Sequence, residues 1–589
     1  MKNRSIILQL LGLALFMVCI VSCRKIDQES FVPKQPEISF SQQEVSVGND
    51  VDTIEVELKS NLPWKIKNNA NWLTVLNSNG QGDDKVKIAI QKNKTTSVRN
   101  AKIEAYITDD AKTELKVIQS AGDPAPDYTR NFYVKIDGVE ANDGLSWSKP
   151  ITLDAALDRA LSGDIIHVAA GTYKPTVTIT GGSASTEADK TFEIGENVKL
   201  IGGYPEQATA GAVANPVTNK TILSGQLNGS RAYHVVTITA IQEQDKQVVL
   251  DGFIIKEGRA HSANSSVTIN GIAVNRSYGG GLLIAGSKAE INNCIVTENE
   301  TSTHCAGVYL TGNSYAVFNR SSISKNQGLA ETTNGAGIWN DGSTLYMYDS
   351  EVTANKAGGV GGGIYAINTA RTSYNYLFNV TIANNEVGAT GVTSRTGAGI
   401  YAREKSKFVI VNSTIYGNKN NGTAFGAGIS LYGVCTVDLV NTTVSNNQGG
   451  QGNTATIGGS GIYNNPAHAN ILNIYNSIVS GNIGAAIEVG GTNSARSSII
   501  GSGVFNYDGI LDAGKNFDPA NAFSPFGKYG GFGQTIPLLN LGSAAATSGM
   551  SILQLQILAS NLVLESDLLS SDQNGKSRSG KTVMGAALP

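Results

Sequence analysis

The chain has 589 residues, with 45 Lys and Arg against 48 Asp and Glu and a formal net charge of −3. That balance supplies no cationic field for nucleic acid, so none is expected as a partner. Only 16% of residues are charged and 67 are Gly, which excludes a coiled coil or a charged disordered chain and suits a turn-rich β protein. Five Cys argue against a disulfide scaffold. Cys19 and Cys23 lie near the start, leaving Cys294, Cys305 and Cys435, an odd number at no metal-ligand spacing. These three read as small core filler, and no metal or cofactor is expected.

Lys2 and Arg4 precede an apolar run from Ile6 to Val21, too short and too N-terminal for an ordinary membrane span, which reads as a signal peptide over 1–22. Val21-Ser-Cys23 resembles a bacterial lipobox. The resemblance implies that the Cys23 thiol is lipidated, anchoring the mature chain in the outer membrane, and composition with the tether-like 23–35 leads to an expectation of surface exposure. Which face of that membrane the chain occupies stays open.

Over 36–121 short segments alternate apolar and polar residues: Val45–Val47, Thr53–Leu58, Val86–Ile90, Ile103–Ile107 and Leu115–Ile118. This predicts a small β-sandwich. Asn61-Leu-Pro-Trp64, Trp72, Gln91-Lys-Asn93, Arg99 and Val117-Ile-Gln119 resemble the BACON domain of Bacteroidetes surface proteins. The family name suggests carbohydrate binding. Trp64 and Trp72 nonetheless read as core anchors, and the domain as a spacer.

A linker over 122–130 leads into a second domain over 131–589. Leu153, Ala156, Leu157 and Ala160 share one helix face stopped by Ser162-Gly163, a cap for the strand Ile165–Val168. Then a pattern recurs seven times: an Asn or close equivalent, Val or Ile three residues on, Asn three further. The central residues are Val296, Ile323, Val352, Ile382, Ile415, Val444 and Val479, spaced by 27 to 35 residues. A period in that range means stacked units. Short β-branched runs between Gly and Asn make the units strands and turns, so the domain is expected to be a parallel β-solenoid with three strands per coil. Tyr133-Val-Lys-Ile-Asp-Gly138, the cap helix and Gly163-Asp-Ile-Ile-His-Val168 resemble the opening of pectate-lyase-like right-handed β-helices. The Gly-x-Gly-Ile repeats resemble chlamydial polymorphic outer-membrane proteins. Asp572-Gln-Asn-Gly-Lys-Ser-Arg578 is similar to the closing motif of secreted β-helices, although Val583-Met-Gly-Ala-Ala587 departs from it and implies an irregular C-terminal cap.

Equivalent positions in stacked coils form columns. Asn299, Asn326, Asn355, Asn385, Asn418, Asn447 and Asn482 would form one at a turn, each amide bonding the next. In the strands that begin Gly-x-Gly-Ile, period two sends Tyr309, Trp339, Tyr365, Tyr401 and Tyr463 outward, a row broken by Ser430. A second row pairs Tyr346 with Tyr376 and Tyr348 with Phe378. Exposed aromatic rows either stack on one another or receive a ligand such as a sugar or a partner protein. The first row lies beside loops that vary in length and is the candidate groove. His304 reads as a solvated turn histidine. Pectate-lyase relatives use clustered carboxylates, Ca²⁺ and a Lys or Arg base, and related hydrolases use paired Asp. Here Glu290 and Asp438 share a column five coils apart, so no catalytic residue is assigned. The sequence therefore points to a lipid-anchored surface protein that binds a polysaccharide, a host glycan or a host surface without catalysis. The alternatives are a lyase or hydrolase with a diverged site, or a structural partner of other outer-membrane proteins.

Overall fold

The computed structural model describes residues 35–588 apart from 51, 71, 94–96, 123–128, 244–245, 262–264, 389–395, 424, 450–458, 484–488, 491–493, 502–505, 509–510, 513–518, 540–543, 563, 579 and 581–582. The leader, Cys23, nearly all of the tether and most of the linker lie outside the described residues. The chain divides into two units, Met1–Ala125 and Pro126–Pro589.

In the first unit, one sheet orders Ile38–Phe40, Asp52–Ser60, Asp84–Ile90 and Leu73–Val75. The other orders Glu44–Val47, Lys112–Gln119, Arg99–Tyr106, Pro63–Asn68 and Asn79–Gln81. Leu58, Val86 and Ile88 meet Ile103, Leu115 and Val117 between them in one buried cluster. Trp64 is buried there and its indole N–H donates to the Gly82 carbonyl at 2.9 Å. The Arg99 guanidinium lies 4.5 Å over the Trp72 ring and donates to Gln119 and to the Gln91 carbonyl at 2.8 and 2.7 Å. Both tryptophans are buried anchors, with no ring face left for a sugar.

The second unit is a right-handed parallel β-helix. Thr152 caps the helix Leu153–Arg159 by accepting the Ala155 N–H, and the helix buries Leu153, Ala155 and Ala156. It ends earlier than Ser162-Gly163 because Ala160 is already extended and buried, turning the chain toward Ile165. Among the described residues the coils then build parallel sheets of 10, 13 and 12 strands. In the repeats these hold, in chain order, the Gly-x-Gly-Ile strands (sheet I), the alternating strands (sheet II) and the strands around the repeated Val or Ile (sheet III). A fourth ladder of six two-residue strands, from Arg259–Ala260 to Lys419–Asn420, follows sheet III. Ile338, Leu345, Met347 and Val352 point inward in one coil, all fully buried.

The asparagines after sheet III form a continuous amide ladder. From Asn299 to Asn482 each side-chain NH₂ donates to the next side-chain oxygen at 2.9–3.0 Å. Its second hydrogen goes to a carbonyl of the preceding coil at 2.9–3.1 Å. Both donors are thus used away from water, which makes buried amides tolerable. The glycine before each sheet I Ile packs across this ladder. A Cβ on Gly337 would lie 2.4 Å from the Gly363 carbonyl oxygen and 3.0 Å from the Asn355 amide, and Gly363, Gly399 and Gly428 repeat the geometry. The Gly and Asn of the repeat are therefore one packing unit. The corner between sheets II and III is left-handed, with φ between 45° and 58° at Asn293, Arg320, Asp349, Asn379, Asn412, Asn441 and Asn476, a conformation Asn and Asp adopt most readily after Gly.

From Ala544 the tail runs back along the outside of the coils. The helix Ile552–Asn561, closed by a Ser551–Gln554 capping box, sets Leu555, Leu558 and Ala559 with Met550 and Leu569 against Phe378, Val409, Val411 and Val440 of sheet II. The closing motif then reaches sheet III: Gln573 bonds the Thr381 and Thr414 hydroxyls at 3.0 and 2.6 Å, and the Ala586 N–H donates to Thr443 at 2.9 Å. Arg578, fully buried, donates to the Val583 and Gly585 carbonyls at 2.9 and 2.6 Å. The motif is a lateral clamp across several coils.

Candidate functional site

Sheet I register aligns Tyr309, Trp339, Tyr365, Tyr401, Ser430 and Tyr463 in one outward column. The expectation that this row is exposed needs correcting. Tyr309, Tyr365, Tyr401 and Tyr463 retain only 3–5% exposure. The hairpin Ser266–Ile269/Ile272–Asn275, turned at Asn270-Gly271, lays Val267, Ile269 and Val274 over Leu283 and Tyr309. Tyr278 stacks on Trp339 at 5.5 Å, and His304 meets the same indole edge-on at 4.9 Å. His304 is accordingly half-buried packing, and burial lowers its pKa. Further along, Trp339–Tyr365 and Tyr365–Tyr401 stand 4.8 and 5.3 Å apart. The Tyr309 phenol donates to Asp341 at 3.0 Å, and the Arg403 guanidinium lies near the Tyr365 hydroxyl.

The second row is also covered in part. Tyr346 and Tyr376 lie 4.6 Å apart with planes 14° from parallel, and Tyr348 and Phe378 5.0 Å apart at 18°. Near-parallel rings that close must overlap face to face, so they offer solvent their edges and hydroxyls. All four pack against the apolar cluster that the C-terminal helix completes.

The first column opens where Ser430 interrupts it. Coils advance by ~4.8 Å, so one missing ring leaves roughly 10 Å between Tyr401 and Tyr463. Ser430 is fully buried and its hydroxyl is taken by Thr396 at 2.6 Å. Phe425 and Tyr432 lean toward the gap, with ring centroids 4.9 Å (Phe425–Tyr463) and 5.4 Å (Tyr401–Tyr432) from the column and inclined at 42° and 59°. Tyr432 also stands 5.8 Å from Tyr463 and so fills much of the interval; outside it lies a pocket of about 590 Å³ lined by aromatic Tyr401, Phe425 and Tyr432 and by polar Thr396, Thr423, Arg403, Glu404 and His468, with Ser430 and Tyr463 buried behind the lining. Burial pushes the Tyr432 hydroxyl up to about 12, so it is a neutral phenol, its ring 5.8 Å from that of Tyr463. Glu404 and Lys405 turn the chain at φ 35° and 48° and bring Glu404 beside Arg403, Nε to Oε1 3.2 Å.

Of the candidate residues, the pocket's lining takes Tyr401 alone. Tyr432 was within reach of the sequence, since period two from outward Ser430 sends it outward too. Phe425 and His468 sit on turns, where no periodicity points. Parts of the variable loops after Asn385 and Asn447 (389–395 and 450–458) lie outside the described residues. Glu290 and Asp438 remain five coils apart, and among the described residues no group of three His, Cys, Asp or Glu could hold a metal ion. Cys294, Cys305 and Cys435 are free and buried.

Residues 62–120 match the BACON family, described as "Putative binding domain, N-terminal". No curated protein matches the chain. Among solved structures, the solenoid is similar to pectate lyase Pel9A, at 13% identity over 78% of this chain and 89% of that one, with a TM-score of 0.38. A rhamnogalacturonan lyase is similar at 13% identity over 67% of this chain and 92% of that one, with a TM-score of 0.35. The fold itself is established by the parallel sheets described above.

The BACON unit has its own concavity of about 760 Å³, lined by Lys102, Lys112, Lys116 and Glu114 among others. Each lysine is neutralised: Lys102 by Glu114, Lys112 by Glu104 at 3.4 Å and Lys116 by Glu44 at 2.9 Å. These are exposed pairs on a solvated strand face.

Proposed function

We propose that the protein is a lipid-anchored cell-surface protein that binds a polysaccharide, of bacterial or host origin, without cleaving it. The BACON unit serves as a spacer and the solenoid carries the ligand in the Ser430 pocket. The observation that supports this most is a pocket beside the point where Ser430 interrupts the aromatic column, walled by the half-buried rings of Phe425 and Tyr432 and rimmed by donors and acceptors. Sugars present an apolar C–H face and a belt of hydroxyls, and this lining complements both.

Ser430→Tyr tests the reading. The flanking Gly426-Ala-Gly-Ile429 matches the Gly397-Ala-Gly-Ile400 that carries Tyr401, so the coil should accept the ring and close the gap. Two rings, Phe425 and Tyr432, contributing about 0.5–1.5 kcal/mol each correspond to roughly fivefold to a hundredfold in affinity. A ring at buried Ser430 must displace them, so glycan binding by titration calorimetry should fall by at least about fivefold while the circular dichroism spectrum stays β-rich. Retained binding would move the site elsewhere.

The anchor rests on the basic start, the apolar run and Val21-Ser-Cys23. Wild-type protein should incorporate labelled palmitate and fractionate with the outer membrane, and Cys23→Ala should do neither. Equal labelling of both would remove the anchor from this proposal.

A further inference from the structure

Resting on the pocket reading above, we infer that its ligand is an uncharged glycan rather than an acidic polysaccharide. Recognition of a carboxylate or sulfate in a concave site needs a cation whose charge is not already cancelled. Among the described lining residues the charged side chains are Arg403 and Glu404, and they neutralise each other at 3.2 Å. The Arg403 guanidinium also lies near the Tyr365 hydroxyl. An acidic sugar entering here would meet the Glu404 carboxylate beside the guanidinium, so attraction and repulsion oppose each other.

The same pair is well arranged for hydroxyls. Arg403 supplies only donors and Glu404 only acceptors, side by side at the rim, so adjacent hydroxyls of one sugar ring can donate to one and accept from the other. The walls below are the half-buried rings of Phe425 and Tyr432, which fit the apolar ring face, with buried Tyr401 behind them; Thr423 adds a hydroxyl, whereas that of Thr396 is engaged by the Phe425 carbonyl and Ser430. Glu404 is held at the rim by a left-handed backbone, φ 35°, followed by Lys405 at 48°. Non-glycine residues adopt that conformation at some cost, and its effect here is to fix the carboxylate beside the guanidinium.

The full chain would be titrated with neutral hexasaccharides of glucose, mannose and xylose and with a hexagalacturonate. At least one neutral ligand should bind about tenfold or more tighter than the acidic one (about 1.4 kcal/mol), with an affinity unchanged between low and high salt. Glu404→Gln removes the cancelling charge and leaves the cation, so neutral affinity should fall, acidic affinity should rise, and salt dependence should appear. Tighter wild-type binding of the acidic ligand, abolished by Ser430→Tyr, would overturn this inference and leave the pocket reading standing. Binding of neither kind in a Ser430-sensitive way would overturn both.

Discussion

Removing residues 544–589 is expected to lower the melting temperature by roughly 10 °C or more and to expose dye-binding apolar surface on sheets II and III. The tail buries Met550, Leu555, Leu558, Leu569, Met584 and Leu588 against the coils. At about 1.5–3 kcal/mol for each large apolar side chain fully buried, their sum is on the order of ten kcal/mol before the chain entropy of ordering the tail is subtracted. Several coil groups would also lose partners. Asn412 donates to the Leu568 carbonyl at 2.7 Å, Asn476 donates to Val583 at 3.0 Å and accepts from Met550, and Thr414 binds Gln573. Each is buried, and a buried donor left unpaired costs about 1–3 kcal/mol. Coils contact only their neighbours, so the loss should be local and melting should begin between Thr381 and Ile499, with the N-terminal coils persisting. Scanning calorimetry with limited proteolysis would show a new early transition mapping to that region. An unchanged single transition would mean that the tail is an accessory and the coils hold without it.

The physical basis of what is legible in this sequence is distance along the chain. The Gly-x-Gly-Ile and Asn positions recur with the coil, so stacking places each on its own kind, and the Asn ladder and the glycines packed on it follow from spacing alone. Period two likewise gives the direction of each aromatic. What covers those aromatics comes from elsewhere: the Ser266–Asn275 hairpin precedes the column it caps, and the 552–561 helix reaches strands some 110 to 175 residues earlier (552 − 440 and 552 − 378). Nothing in the repeat encodes such contacts. The hairpin itself was readable, since Asn270-Gly271 sits between the alternating Val267/Ile269 and Ile272/Val274. The pocket belongs to a third class. It lies beside a departure, Ser430 where the repeat has an aromatic, and much of its lining (Thr423, Phe425, Gly433 and His468) sits on turns, where no repeat position points.

Replacing Trp339 and Tyr365 together by Ala separates a structural column from a ligand-binding one. Were the row an open stacking platform, the change would weaken glycan affinity and leave stability alone. The geometry gives the opposite expectation. Tyr365 is buried, and Trp339 is wedged between Tyr278, His304 and Tyr365. Truncating a buried aromatic to Ala typically costs about 3–5 kcal/mol, and two in contact do not add fully, so the pair should cost about 5 kcal/mol or somewhat more. Hydrogen exchange should accelerate in strands Val308–Thr311 through Ile400–Arg403, and the melting temperature should fall. Pocket binding measured well below that temperature should persist within a few fold, because Phe425, Tyr432 and the Arg403–Glu404 pair remain, although Tyr401 loses the ring behind it. A wild-type melting temperature with lost binding would return the column to the role of a ligand platform and make its burial here irrelevant to function. Loss of both would show that Tyr401 needs Tyr365 to hold its place in the wall, tying the closed part of the column to the open one through a single stacked pair.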